Sequence, residues 1–217
     1  MDDSVPDTAI GRLKSNGAEI VRMDEEEAQW PGTMWRFLAA DDTEASWVIF
    51  RDADSVISHR EAEAVKEWMA SGKLFHTMRD AETHTELILA GLWGMAAGTV
   101  PGMKGEIRTY LQQPLDMGCV SKHFADQFFL REHIWAYARQ SLFAHDRIFG
   151  FLDAKPFSDG LMTDYRYNHI GCDEGNSHFQ ADYDLPDGSE VVWKLYSRIA
   201  PLLTPSADIR TLPEERL

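Results

Sequence analysis

Apolar residues form short continuous runs that alternate along the chain with helical stripes. The continuous apolar run SWVIF predicts a strand, and such a run is typical of a strand covered on both faces. LFHTMRD predicts a second strand. A third strand is predicted in ELILAGLWGMAAG, where it leads into a glycine-rich turn, and a fourth in LFAHDRIF. A further strand-like segment, AEIVRM, lies near the start of the chain.

Three helices are predicted from their stripes and end signals. Residues 7–16 are amphipathic, and Gly17 is a suitable stop. The segment FADQFFLREHIWAYARQS carries an aromatic stripe. Between these two, Ser58 and Glu61 have the spacing of a capping box at a helix start. The predicted stripe of this helix and its stop are formed by Ala62, Val65, Trp68, Met69 and Gly72.

Strands that alternate with helices predict an α/β fold. We expect a single domain with a Rossmann-like, mostly parallel sheet flanked by helices. Its core is expected over about residues 18–171, with residues 172–217 as a C-terminal extension. The 217 residues, 44% of them hydrophobic, are enough to fill one core.

The charge balance narrows the range of partners. The chain has 21 Lys and Arg against 36 Asp and Glu, which gives a formal net charge of -15. Such a field repels nucleic acids and anionic lipids, so no nucleic acid partner is expected. The N-terminus lacks a signal-peptide pattern, and no long apolar run predicts a membrane span. Two cysteines without metal-like spacing favour a cytoplasmic protein.

The segment FRDADS places two carboxylates at the end of a predicted strand. Asp52 and Asp54 precede the capped helix, and ligands of open α/β sheets bind outside the carboxyl ends of strands. Neighbouring carboxylates raise each other's pKa unless a cation compensates, and Mg²⁺ and Mn²⁺ prefer such oxygen ligands. A second pair, Asp182 and Asp184, lies in a loop-like segment and is predicted to be solvated. The first pair is therefore the predicted metal site.

Several motifs occur together in a characteristic order and spacing: MWRFL, FRDADS, REAEAVKEWMASGK, FHTMRDAETH, LAGLWG, DQFFL and AHD. Over about residues 20–151 they resemble glycosyltransferase-like proteins with the glycosyltransferase-A fold. The resemblance implies that Asp52 and Asp54 hold Mn²⁺ or Mg²⁺ and contact the diphosphate of a nucleoside diphosphate sugar. It also implies transfer of the sugar to an acceptor hydroxyl. The matching region starts after the first strand and helix of that fold, so about one βα unit is expected to be missing.

The resemblance also suggests roles for other residues. A histidine completes the metal shell, with His145 in AHD preferred and His169 in YNHIG as the alternative. Asp126 in DQFFL positions the acceptor or removes its proton, although a carboxylate at a helix start is also a common cap. The remaining candidate contacts to diphosphate or sugar, for which surface charge or core packing is the alternative role, are Arg51, Arg79, Asp80, Gly91 and Trp93.

Two other functions use the same residues. DADSV fits the D-x-D-x-[TV] pattern of haloacid-dehalogenase-like phosphatases, with Asp52 as nucleophile and Asp54 as acid and base around Mg²⁺. The helix that follows fits the transferase pattern better. A non-catalytic protein of the same fold that binds sugar nucleotides or carbohydrates is the other alternative.

Overall fold

A computed structural model describes residues 1–81, 84, 86–112, 124–146, 150, 153–158, 169–171 and 212–213. The helices in these ranges are α1 (Asp7–Ser15), α2 (His59–Ser71), α3 (Met103–Gln112), α4 (Ala125–Phe129) and α5 (Trp135–Ala138). Two 3₁₀-helices span Glu27–Gln29 and Gly32–Asp41, and a π-helical turn, Leu130–Ile134, joins α4 to α5. The strands are β1 (Trp47–Arg51), β2 (Phe75–Arg79), β3 (Leu92–Ala96) and β4 (Leu142–Asp146).

The four strands form one mixed sheet in the order β1-β3-β2-β4. β3 runs antiparallel to both of its neighbours, whereas β2 and β4 are parallel. Therefore β1, β2 and β4 point the same way and β3 is reversed. The mixed α/β content is confirmed. The expectation of mostly parallel pairing is not met, because two of the three pairings among the described strands are antiparallel.

The four strands predicted from the apolar runs are confirmed, but the strand predicted in AEIVRM is wrong. Residues 18–23 are coil, fastened to the start of the chain by hydrogen bonds from Met23 N to Met1 O (3.0 Å) and from the amino terminus to Val21 O (2.8 Å). Val21 is 59% exposed. Its apolar side chain has no sheet face to cover.

The predicted helix ends are confirmed. Gly17 adopts a left-handed conformation after α1, and Ala18 N donates to Leu13 O (3.0 Å), as in a Schellman motif. At the start of α2, the Ser58 hydroxyl accepts from Glu61 N (3.2 Å), and Gly72 ends the helix in the left-handed region.

The predicted stripe of α2 is confirmed at Trp68, and its residues Ala62 and Val65 are half-buried. Trp68 is buried, but the other buried positions are Arg60, Glu61 and Ala64, and Met69 is exposed. The buried face is turned because two charged residues at the start of α2 point at the sheet edge. The helix α3 has no counterpart in the sequence-based prediction.

The core lies on the sheet face opposite α2. Phe37, Phe50, Trp93 and Phe129 pack there with ring centroids 4.3–5.7 Å apart. The other face is covered by α2. Two predictions fall outside the described residues: the solvated pair Asp182 and Asp184, and the extension over residues 172–217 apart from residues 212–213.

Candidate functional site

One edge of the sheet gathers most of the predicted site residues. Because β1, β2 and β4 share a direction, their carboxyl ends lie at the same edge, together with the start of β3. Arg51 pairs with Leu92 across this edge, and Arg79 pairs with Asp146. Ligand sites of α/β sheets lie at such an edge. We call it the carboxyl edge.

Asp52 is the first residue after β1, and its carboxylate lies on the carboxyl edge. The side chain is 49% exposed and forms an ion pair with Arg36 of the 3₁₀-helix Gly32–Asp41. It also covers Gly91, where an added Cβ would come within 2.1 Å of Asp52 Oδ2. Gly91 thus leaves the space that the carboxylate occupies. Asp54, two residues on, is exposed.

Asp126 is 5% exposed at the start of α4, and its Oδ1 accepts from Gln127 N (2.9 Å). Burial raises the pKa of the Asp126 carboxyl above its ordinary value. The hydrogen bond from Gln127 N and the charge of Arg36 oppose this shift, whereas the charge of Asp52 adds to it. Arg36 therefore acts electrostatically on both carboxylates.

The Gln127 side chain holds the segment that leads into Gly91. Its amide nitrogen donates to Ile88 O (3.1 Å), and its oxygen accepts from Ala90 N (3.0 Å). The amide thus supports the backbone on which the Asp52 carboxylate rests. Sequence reasoning missed this role of Gln127, although DQFFL is one of the motifs that carry the resemblance.

Arg51 was predicted to contact substrate, but its guanidinium faces inward. Nη1 donates to Gly91 O (2.7 Å), and Nη2 donates to Glu61 Oε2 (2.9 Å) on α2. Burial lowers the pKa of Arg51 and raises that of Glu61, and the charge of each partner opposes the shift of the other. In the described structure Arg51 ties β1 to α2.

Arg79 and Asp80 are also enclosed. Arg79 is 1% exposed and donates to Asp146 Oδ2 (2.7 Å) and to Leu87 O (2.8 Å). Asp80 is fully buried, and its Oδ2 lies 2.5 Å from Arg60 Nη2 and accepts from Ile170 N (3.1 Å). These contacts link the end of β2 to β4, to α2 and to Ile170 inside the carboxyl edge.

Trp93 was expected to offer an aromatic face to a sugar. It is fully buried and stacks on Phe50 with ring centroids 4.3 Å apart, and Phe37 meets its ring from another side at 5.7 Å. Its role in the described structure is core packing.

His145 was preferred as the third metal ligand, but both of its ring nitrogens have protein partners. Nδ1 lies 2.8 Å from His76 Nε2, and Nε2 lies 3.2 Å from Glu67 Oε2. The ring is fully buried and stacks on Phe157. Within the described ranges, no three His, Cys, Asp or Glu side chains are grouped in a way that could hold a metal ion. Asp52, Asp54 and His145 are thus not brought together.

His169, the alternative ligand, lies in a segment fastened to the carboxyl edge. Gly171 O accepts from the Ser55 hydroxyl (3.3 Å), one residue after Asp54. His169 Nδ1 donates to Ile170 O (2.9 Å), which in the neutral ring leaves the lone pair on Nε2. Of the two histidines, His169 is the one whose segment is attached to the loop of the acidic pair.

The ring of His169 meets His84 edge to face, with centroids 5.1 Å apart. His84 Nδ1 accepts from Asp80 N (2.9 Å) and Ala81 N (3.2 Å), so its neutral ring carries the proton on Nε2. Burial, followed by the charge of His169, lowers the pKa of His84 to about 3. His84 is therefore uncharged, and its ring holds the backbone of Asp80 and Ala81 at the carboxyl edge.

No protein-family model, curated protein or solved structure matches this chain. The resemblance to the glycosyltransferase-A fold therefore stays a prediction from motifs. Among the described helices, none combines the length and the apolar character that crossing a membrane requires.

Proposed function

We propose that this protein is a metal-dependent glycosyltransferase that moves a sugar from a nucleoside diphosphate sugar to an acceptor hydroxyl. The observation that carries the proposal is the placement of Asp52. Its carboxylate lies on the carboxyl edge, remains half exposed, and rests on a glycine that leaves it room. The buried carboxyl of Asp126, whose pKa is raised, also interacts electrostatically with Asp52.

The residues at this edge fit a divalent cation in their chemistry. Asp52 and Asp54 supply accessible carboxylate oxygens, the ligands that Mg²⁺ and Mn²⁺ prefer. In the described structure Asp52 is paired with the guanidinium of Arg36, which a metal would displace from the carboxylate. In this proposal Asp52 and Asp54 hold the metal, and neither His145 nor His169 is grouped with both of them in the described structure.

The metal, when bound, stabilises the charge that builds on the departing diphosphate. The protein's own residues orient the reactants. Asp126 removes the proton of the acceptor hydroxyl, since a carboxylate whose pKa is raised by burial is a stronger base than an ordinary aspartate. Gln127 keeps Gly91, and with it Asp52, in position.

A second candidate is a non-catalytic protein that binds sugar nucleotides at the same edge. It is favoured by the enclosure of Asp126, which is 5% exposed and accepts a hydrogen bond from Gln127 N, because a general base must reach the hydroxyl that it deprotonates. Trp93, Arg51, Arg79 and Asp80 were expected to touch donor or sugar. Their internal contacts leave fewer described side chains for a donor in either candidate.

Thermal shifts with UDP- and GDP-sugars, with and without Mn²⁺, combined with assays of donor hydrolysis, separate the candidates. Stabilisation that needs Mn²⁺, with slow donor hydrolysis that disappears in Asp52→Asn, supports the transferase. Stabilisation without turnover supports the binding protein. Phosphate release from simple monoesters, lost in Asp52→Asn, would contradict both and support a phosphatase.

A further inference from the structure

The backbone of Arg36 is held in place by neighbouring residues that pack in the core. Its neighbours Met34 and Phe37 are fully buried, and the Phe37 ring packs against Phe50 and Phe129. The backbone of Arg36 is thereby fixed beside the end of β1. Its own side chain remains 25% exposed and ends on Asp52.

The other described arginines at this edge have buried partners. Arg51 is paired with Glu61, Arg60 with Asp80, and Arg79 with Asp146, and each of these carboxylates is almost fully enclosed. Removing one of those arginines would take the guanidinium away from an enclosed carboxylate. The partner of Arg36 is half exposed, so this pair can separate at a smaller electrostatic cost.

We infer that Arg36 is an exchangeable counter-ion, which pairs with Asp52 in the ligand-free protein and moves to the donor diphosphate when a divalent cation binds Asp52. This inference rests on the proposed function, because it assigns a residue to the same site. Arg36 is in this view a positioning residue for the diphosphate and a competitor of the metal.

Charge gives the physical reason for the exchange. A divalent cation on Asp52 neutralises the carboxylate and repels the guanidinium of Arg36. The guanidinium then pairs with another anion nearby. The diphosphate bound by that metal is such an anion, and the planar guanidinium can contact two of its oxygens at once. A chain with a formal net charge of -15 needs a local cation of this kind to hold an anionic donor.

The test is calorimetric titration of Mn²⁺ alone, followed by titration of UDP at saturating Mn²⁺. Arg36→Gln removes the competitor, so we expect Mn²⁺ to bind more tightly and UDP more weakly, each on the order of tenfold, the range of one charge-assisted hydrogen bond. Arg22→Gln is the matched control. It removes the same charge from an exposed pair with Asp3, and both affinities should equal those of the wild type.

Arg36→Lys is a second variant that retains the positive charge if Arg36→Gln fails to fold. Lysine keeps the competition with Mn²⁺ but contacts a diphosphate at one point only, so Mn²⁺ affinity should stay near the wild-type value while UDP binds more weakly. Unchanged UDP affinity in Arg36→Lys, or unchanged or weaker Mn²⁺ binding in a folded Arg36→Gln, would overturn the inference.

The inference and the proposed function fail in different ways. Tighter Mn²⁺ binding and weaker UDP binding in Arg36→Gln, in a protein that neither transfers nor hydrolyses any donor, supports the counter-ion and contradicts the transferase. Turnover by the wild type with no change of metal affinity in Arg36→Gln supports the transferase and contradicts the counter-ion. Absence of Mn²⁺ binding in wild type and variant contradicts both.

Discussion

The carboxylate of Asp52 lies directly over Gly91, and a Cβ added to Gly91 would come within 2.1 Å of Asp52 Oδ2. A side chain at this position must therefore displace the carboxylate. We expect Gly91→Ala to remove the Mn²⁺-dependent stabilisation by UDP while the protein stays folded, as thermal shifts with and without ligand will show.

Gly105→Ala is the control for this prediction. Gly105 lies within α3, and nothing is found within 4 Å of an added Cβ. The substitution should leave the ligand response unchanged and raise stability slightly, because alanine favours a helix by up to about 1 kcal/mol over glycine. An unaltered ligand response in Gly91→Ala would show that Asp52 is not needed in its described position.

Asp126 provides a prediction on chemistry rather than binding. Asp126→Asn keeps the shape of the side chain and removes its ability to take a proton. Binding of Mn²⁺ and UDP should be retained, whereas turnover should fall by about 10²-fold or more, the usual contribution of a general base. Turnover close to that of the wild type would reduce Asp126 to a helix cap and a packing residue.

The pair Arg79 and Asp146 is predicted to stabilise the fold. Arg79→Met leaves the buried Asp146 carboxylate without its guanidinium, and loss of one partner of a buried pair costs about 3–5 kcal/mol. Urea unfolding measures this loss. Replacing both residues, as in Arg79→Met with Asp146→Leu, should recover part of it, because neither charge of this buried pair remains. Lys66→Met, at an exposed pair with Glu63, should change little.

We expect the buried ring of His76 to lower the free energy of unfolding in acid. Burial and the neighbouring His145 lower the pKa of His76 from its ordinary value of 6.5 to about 3. The ring contacts His145 Nδ1 and stacks on Trp68, and Glu67 lies beyond His145. Below pH 6.5 the His76 ring takes up a proton in the unfolded chain but stays neutral in the folded protein. His76 therefore does not lower the free energy of unfolding above pH 6.5, and it lowers this free energy increasingly as the pH drops from 6.5 toward 3.

Urea unfolding at pH 7.5 and 5.5 checks this contribution. His76→Gln keeps a donor toward His145 and should lose about 1.4 kcal/mol less than the wild type between the two pH values, since one unit of pH below the unfolded pKa corresponds to this energy. His59→Gln, at an exposed residue, should lose as much as the wild type. Equal losses in wild type and His76→Gln would show that His76 titrates alike in both states.

Local pattern was sufficient for the four strands, for the ends of α1 and α2 and for the position of the acidic pair, but not for α3 or the 3₁₀-helix Gly32–Asp41. The apolar run before Asp52 predicted β1, and Ser58 and Gly72 predicted the ends of α2, because caps and runs are properties of neighbouring residues. The rule that ligands bind at the carboxyl ends of strands then predicted a ligand site at the carboxyl edge, which stays a prediction.

Contacts between distant residues could not be predicted in this way. His145 looked like a free ligand because nothing in the sequence shows that His76, 69 residues away, faces it across β2 and β4. Trp93 lies on the strand face that Phe50 shares, a fact that depends on the register of β1 with β3. Arg36 reaches Asp52 from a 3₁₀-helix, and nothing in the sequence shows that its side chain ends on a carboxylate 16 residues away.

Titration of UDP into the protein with Mn²⁺ and then with EDTA is the most direct test of the metal-dependent donor site. We expect the wild type to bind UDP with Mn²⁺ and not with EDTA, and Asp52→Asn and Asp54→Asn, which keep the side-chain shape and remove its charge, to bind it in neither condition. Equal binding of UDP with Mn²⁺ and EDTA, or full Mn²⁺-dependent binding in Asp52→Asn, would contradict a metal site at the end of β1.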